Sequence, residues 1–349
     1  MLITGANSGL GLRSARVLAA AGARVLMACR SPERGETALK AVTEAGGDAE
    51  LITLDLADLG SVRAAAAEVA KRCPDGLDVL MNNAGVMATP KRHTADGFEL
   101  QFGTNHLGHA ALTWLLMPEL AKRPGSRVVT LSSMAARGGR IDVTDPNFEH
   151  RRYLPTWAYG QAKLANLLFA LELDRRLHAA RRDITSTAER ATPDTAAQDS
   201  PSTTGRDTAA RPDIPTAAGP TPTTAKPDAG SAAGQDTISV AAHPGFTATE
   251  LSNNMMRSRY SGAVRKIALV GAALADVVGQ NVAMGALPQL YAATAPDVYG
   301  GEYIGPGNVG GTRGYPKKVA LPRSALRSGV PEELWELTAR LTGVAPDPA

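Results

Sequence analysis

Cysteine is nearly absent from this chain. Cys29 and Cys73 stand far apart, without a CxxC or a Cys/His ligand spacing. That excludes a disulfide scaffold and offers no metal site, and it fits a reducing compartment in which both thiols are small core residues. Aromatic residues are also scarce, at 4% against 44% hydrophobic residues overall, so the composition is that of an Ala- and Gly-rich globular protein and not of a fibre. No sign of charge dominates: 37 basic and 34 acidic residues leave +3, too small and too dispersed for a nucleic-acid or anionic-membrane surface. Long apolar runs are missing as well. The longest, 267–275, ends at Asp276, well short of the roughly 18 apolar residues that cross a bilayer, and reads as a buried helix face. Met1 leads straight into Leu2-Ile3-Thr4-Gly5 with no charged and apolar leader, so neither secretion nor a membrane anchor is expected and the location expected is cytoplasmic.

What is present is alternation. The 349 residues suit two domains, or one large α/β domain with an insertion. Short β-type runs at 2–4, 24–28, 50–54, 77–81 and 127–131 alternate with helical periodicity at 10–21, 35–45, 61–73 and 97–120. Repeated βαβ units of this kind predict an α/β fold, a Rossmann-like doubly wound parallel sheet. Residues 181–236 break the pattern with seven of the 23 prolines, eleven threonines and no aromatic residue. That segment buries too little to fold and reads as a flexible polar insertion in a single domain made of 1–180 and 237–349. A strand at 237–241 follows, then helices at 263–275, 280–293 and 332–341.

The first strand runs into Thr4-Gly5-Ala6-Asn7-Ser8-Gly9-Leu10-Gly11 and then a helix. In this context glycines make a tight turn that sets backbone N–H groups and a helix N-terminus against a pyrophosphate. The spacing is G-xxx-G-x-G, which points away from the G-x-G-x-x-G of the long-chain dehydrogenases. The second strand ends in Ala28-Cys29-Arg30-Ser31, with no carboxylate to accept from a ribose 2′-OH. Arg30, with Arg13 near the first turn, supplies the positive charge that a 2′-phosphate requires, which favours NADP(H) over NAD(H). Asp55 and Leu56, after the third strand, fall where an adenine ring is bracketed.

Tyr159 and Lys163, at i and i+4, share a face of a helix whose apolar residues are Leu164, Leu167, Leu168 and Leu171. A free tyrosine is a poor base at neutral pH, and a nearby ammonium that favours the phenolate is the expected remedy. Ser132-Ser133 closes the strand 127–131, and Asn82-Asn83-Ala84-Gly85 closes the one before it, with Asn105 in the helical run between them. Strand ends of this kind converge on the crevice where open α/β sheets bind ligands.

In order and context, Thr4 to Gly11, Asn82 to Gly85, Asn105, Ser133, Tyr159 with Lys163, and Pro244-Gly245 resemble the motif set of the short-chain dehydrogenase/reductase family. The 153–177 segment, the long connection through Gly139-Arg140-Ile141-Asp142, and Ala242-His243-Pro244-Gly245 are similar to its retinol dehydrogenase and protochlorophyllide reductase-like branch. The resemblance implies lipophilic or bulky carbonyl and alcohol substrates. It makes Tyr159 the general acid/base, Lys163 its electrostatic partner and ribose ligand, Ser133 the donor that orients the carbonyl, and Asn105 the support for a proton-relay water. It places Gly5, Asn7, Ser8, Gly9, Leu10, Gly11, Asn83, Ala84 and Gly85 along the dinucleotide, with Pro244, Gly245 and Thr249 closing over the nicotinamide. Residues 251–293 would form the substrate lid. A homodimer through the Tyr159 helix and a monomer both fit the family.

Ala162 stands where the branch usually has serine, a small-for-small change. His106 and His109, at i and i+3, have no third ligand in a matching pattern and read as helix-surface residues, and the Trp335 segment reads as a helix packed on the core. The alternative from another class is a regulatory NADP(H) sensor that turns nothing over. Such a protein would be expected to lose Tyr159, Lys163 or Ser133, and all three are present.

Overall fold

Apolar runs that must bury both faces build the centre of the molecule. The strands are β1 (Leu2–Thr4), β2 (Val25–Cys29), β3 (Ala49–Thr53), β4 (Val79–Asn82), β5 (Arg127–Leu131), β6 (Ile238–Ala242), β7 (Tyr303–Pro306) and β8 (Pro316–Lys318). They form one sheet in the order β3-β2-β1-β4-β5-β6-β7-β8, parallel throughout except where β8 runs antiparallel to β7. The computed structural model describes residues 1–191, 237–247 and 280–345, the side chains of 183–191 and of residue 309 aside. Two compact units divide the chain, Met1–Ala180 with Gly234–Ala349, and Arg181–Ala233. Of the second, 181–191 is helical. The rest of the expected insertion, the helix at 263–275, the lid up to residue 279 and Thr249 lie outside the described residues.

Successive strand residues point to opposite faces. Leu2, Leu26, Leu80 and Val128 enter one core with α3 (Leu59–Arg72), α5 (Gly108–Ala121), Phe169 and Leu173 of α6 (Pro155–Ala191), and Trp335 of the last helix, α8 (Val330–Thr342). Ile3, Met27, Met81 and Val129 enter the other, with α1 (Gly9–Ala20), α2 (Pro32–Thr43) and α7 (Val282–Thr294). Trp335 is fully in the core as expected, its ring 5.0 Å from Trp114 and 5.6 Å from Phe169 between centroids.

Two expectations are corrected here. The run read as one helix over 97–120 is three pieces: the single turn α4 (Leu100–Phe102), a π turn over Gly103–Leu107, and α5. Gly97 has φ 87°, outside helical space, and the Glu99 side chain caps the turn by accepting from Gln101 N and Phe102 N. Strands β7 and β8 were not anticipated. They are short and carry Gly and Pro, and β8, with Pro316 and two lysines, is the kind of sequence that protects a sheet edge. The strand order reverses between β1 and β4, which opens a crevice at the carboxyl ends of the strands.

Candidate active site

The glycine turn lies at that crevice, between β1 and α1. Gly5 has φ 65°, and a Cβ on Gly11 would lie 2.3 Å from the Gly5 carbonyl oxygen and 2.5 Å from Asn83 Nδ2. The G-xxx-G-x-G spacing is thus the spacing of a turn that folds onto itself and onto the next strand. Asn83 Nδ2 donates to the Thr4 carbonyl at 2.7 Å, and the Thr4 hydroxyl receives Asn83 N and Ala84 N, both at 2.9 Å. Ser31 and Asp58 cap α2 and α3 with side-chain oxygens, whereas Ser8 makes no side-chain cap on α1 and no acidic residue occupies its first turn. The first N–H groups of α1 are therefore left to an anion, and the residues present fit a dinucleotide pyrophosphate. Arg30 is exposed just beyond β2. Asp55 accepts from Ala57 N at 3.0 Å, and Leu56 is buried in the core, its carbonyl close against Gly108.

The catalytic candidates meet where β4, β5 and α6 approach one another. Helix α6 begins at Pro155, a residue suited to a first helical position, one turn ahead of Tyr159. Tyr159 is partly buried, and the Ser133 hydroxyl beside it favours the ionised phenol. Ser133 in turn accepts from Ala135 N at 3.2 Å as the cap of the 3₁₀ turn Met134–Gly138. One helical turn further on, Lys163 Nζ donates to the Leu131 carbonyl at 3.0 Å and stands 5.9 Å from the Tyr159 ring centroid. Ser132 anchors the same turn by donating to the Lys163 carbonyl at 2.8 Å. Asn105 sits in the π turn, fully buried, its side-chain amide paired both ways with the Val86 backbone at 2.8 and 2.9 Å. A Cβ on Gly85 would lie 3.1 Å from Asn105 Oδ1 and 3.6 Å from Lys163 Nζ, so the glycine leaves the space between them open.

Burial governs the electrostatics. It pushes Lys163 down to about 8. It also holds the Tyr159 phenol above its ordinary 10, with the Ser133 hydroxyl pulling in the other direction. Desolvation is the larger influence on the phenol, and it leaves Tyr159 protonated at neutral pH.

Asn105, Ser133, Tyr159, Lys163 and Gly85 are therefore brought together, and Gly5, Asn83 and Ala84 lie at the adjoining strand ends, with Gly11 of α1 packed against them. Pro244 and Gly245 follow β6, where Gly245 has φ 68° and Phe246 N donates to the Thr312 carbonyl at 2.7 Å. His106 and His109 are corrected from surface to core, both 1% exposed. His106 Nε2 pairs with the Thr338 hydroxyl at 2.9 Å, and His109 bridges Thr4 and the Asn105 carbonyl. The signal that would have placed His109 is the apolar circumference of the helix 108–121, since a helix apolar all round is buried.

The short chain dehydrogenase family model matches residues 1–144. Over 179 residues the chain is 44% identical to human retinol dehydrogenase 13, covering 51% of this chain and 54% of the relative. Over 192 residues it is 47% identical to human retinol dehydrogenase 14, covering 51% and 56%. It thus spans about half the length of the curated relatives it matches. A crystal structure of an uncharacterized protein from Mycobacterium Paratuberculosis superposes with a TM-score of 0.67 at 37% identity, covering 99% of this chain and 94% of that one. With the sheet order, the glycine turn and the Ser133, Tyr159 and Lys163 grouping already in place, these likenesses support the short-chain dehydrogenase/reductase family, and within it the retinol dehydrogenase-like branch, for the part of the chain that they cover.

Proposed function

We propose that this protein is an NADP(H)-dependent oxidoreductase that interconverts a carbonyl and an alcohol, with Tyr159 as general acid/base. The observation that carries the reading is the placing of Tyr159 beside Ser133, one helical turn from the buried Lys163 ammonium, at the carboxyl edge of β5. A nicotinamide cofactor held along the Gly5 to Gly11 turn would supply or accept the hydride at the substrate carbon. Ser133 donates to the substrate oxygen and orients it, and the Tyr159 O–H, protonated at neutral pH, delivers the proton to that oxygen in reduction. Lys163 steadies the phenolate that remains, and its Leu131 contact fixes where that charge stands. Asn105 holds the π turn beside Gly85. The exposed Arg30 and the missing carboxylate at the end of β2 support NADP(H) over NAD(H). A lipophilic substrate is supported by the retinol dehydrogenase relatives.

The test titrates the protein with NADPH and NADH, then follows turnover of all-trans-retinal and decanal. Expected are tighter binding of NADPH, loss of that advantage in Arg30→Ala by about tenfold, and loss of turnover by about a hundredfold or more in Tyr159→Phe with NADPH binding kept. Binding of NADPH without turnover of any carbonyl or alcohol would instead support the non-catalytic sensor.

A further inference from the structure

The Thr4 hydroxyl has three close polar neighbours: Asn83 N and Ala84 N at 2.9 Å and His109 Nε2 at 2.8 Å. A hydroxyl has one proton and two lone pairs. The two backbone amides can only donate, so they occupy both lone pairs and the proton is left for His109 Nε2. The competing acceptor, the Met81 carbonyl, is farther away at 3.4 Å. A neutral imidazole that accepts at Nε2 carries its own proton at Nδ1. There the Asn105 carbonyl oxygen lies 2.9 Å away and can only accept. Hydrogen-bond counting alone therefore sets the tautomer. Complete burial and the Lys163 ammonium both oppose a charged ring and push His109 down to about 3, and the other titratable neighbour, His106, is held neutral in the same way.

We infer that His109 is a positioning residue: through one hydrogen bond of fixed polarity at each end, it ties the nucleotide turn at the end of β1 to the π turn that carries Asn105. The two ends hold different things. The Thr4 end orients the amides of Asn83 and Ala84 along the nucleotide crevice. The Asn105 end fixes the carbonyl of the π turn at Gly103–Leu107, where the Gly108 N–H reaches back to Gly103. The kinetic part of this inference rests on the oxidoreductase reading above; the structural part does not.

Two substitutions separate the ends. An asparagine amide nitrogen falls near the place of Nδ1, and the end of a glutamine side chain falls near Nε2. His109→Asn keeps the bond to Asn105 and loses Thr4, whereas His109→Gln keeps Thr4 and loses Asn105. With NADPH and all-trans-retinal on the full chain, His109→Asn is expected to raise the NADPH Kd about tenfold with kcat within about twofold. His109→Gln is expected to keep the NADPH Kd within about twofold and to lower kcat about tenfold. In the protein alone, amide hydrogen exchange at 103–108 should quicken about tenfold in His109→Gln while 83–85 stays protected. Equal losses in both variants, or no change in either, would overturn the inference. If the His109 variants do not fold, Thr4→Ser and Thr4→Val take their place: weaker NADPH binding in the valine variant alone supports the tie, and identical behaviour of the two overturns it. Should Tyr159→Phe turn over like the wild type, the catalytic reading fails, while exchange and NADPH binding still decide the role of His109.

Discussion

At the residue scale, Lys163 holds its place against a desolvation cost. A fall from 10.5 to about 8 corresponds to about 3 kcal/mol against the charged form at neutral pH. The sign follows from the depressed folded value: between about 8 and 10.5 the unfolded chain binds a proton that the folded chain has released, so this burden lifts as pH rises through that window. Lys163→Met removes the charge and keeps most of the volume. The variant should be more stable than the wild type at pH 7 by up to about 3 kcal/mol in urea unfolding, with the gap closing toward pH 10, and it should lose about a hundredfold or more in turnover. A stability gain without the activity loss would remove Lys163 from the proposed mechanism. The same ionisation predicts that wild-type turnover falls as pH rises through about 8, because the ammonium beside Tyr159 is then lost.

At the scale of elements, the nucleotide turn is decided by backbone approach. Gly11 lies in α1, where alanine would ordinarily gain about 1 kcal/mol of helix propensity. The new methyl would stand 2.3 Å from the Gly5 carbonyl oxygen, and a backbone oxygen cannot step aside as a side chain can. Strain of about 2 to 3 kcal/mol therefore outweighs propensity: Gly11→Ala should lower the urea midpoint and abolish NADPH binding, and a stable variant with full binding would contradict this account. How much of this was legible follows the same lines. The five strands up to β5 announce themselves by apolar runs, and α1, α2 and α3 by period, within a few residues of where they stand. The Tyr159 and Lys163 spacing was legible because a helical repeat fixes which side chains share a face. The π turn at 103–107 was not, since its sequence keeps helical periodicity on both sides and the shift in hydrogen bonding leaves no compositional mark. Nor was the pairing of His109 with Thr4, because Thr4 is 105 residues away and only the sheet order brings it near.

At the scale of the whole molecule, three buried histidines make the fold sensitive to acid. Burial pushes His106 and His109 down to about 3, and burial together with Arg137 pushes His243 down to about 4. His243 packs against Tyr303 with ring centroids 5.0 Å apart, and a Cβ on Gly305 would lie 2.1 Å from its Nε2, so no room is left for a hydrated imidazolium. In the unfolded chain each histidine titrates near 6.5. Below that pH the unfolded state binds protons that the folded state refuses, so stability is fully present above about 6.5 and drains away as pH falls toward 3 to 4. The slope is about 1.4 kcal/mol per pH unit for each group, or about 4 kcal/mol for the three together. The raised carboxyls of Glu99 and Asp174 act in the opposite sense, because the folded state takes up their protons first. They offset part of the histidine effect as the pH falls. Between pH 7 and 5 the three histidines would lower the unfolding free energy by up to about 5 kcal/mol, a large share of the 5 to 15 kcal/mol typical of a domain, less whatever the two carboxyls return. Urea midpoints at pH 7, 6 and 5 measure this, and His243→Gln should flatten the dependence by about one proton. A midpoint unchanged from pH 7 to 5 would mean that these rings take up protons in the folded state. His109 could then no longer accept from Thr4, so the same titration bears on the link between the nucleotide turn and the π turn.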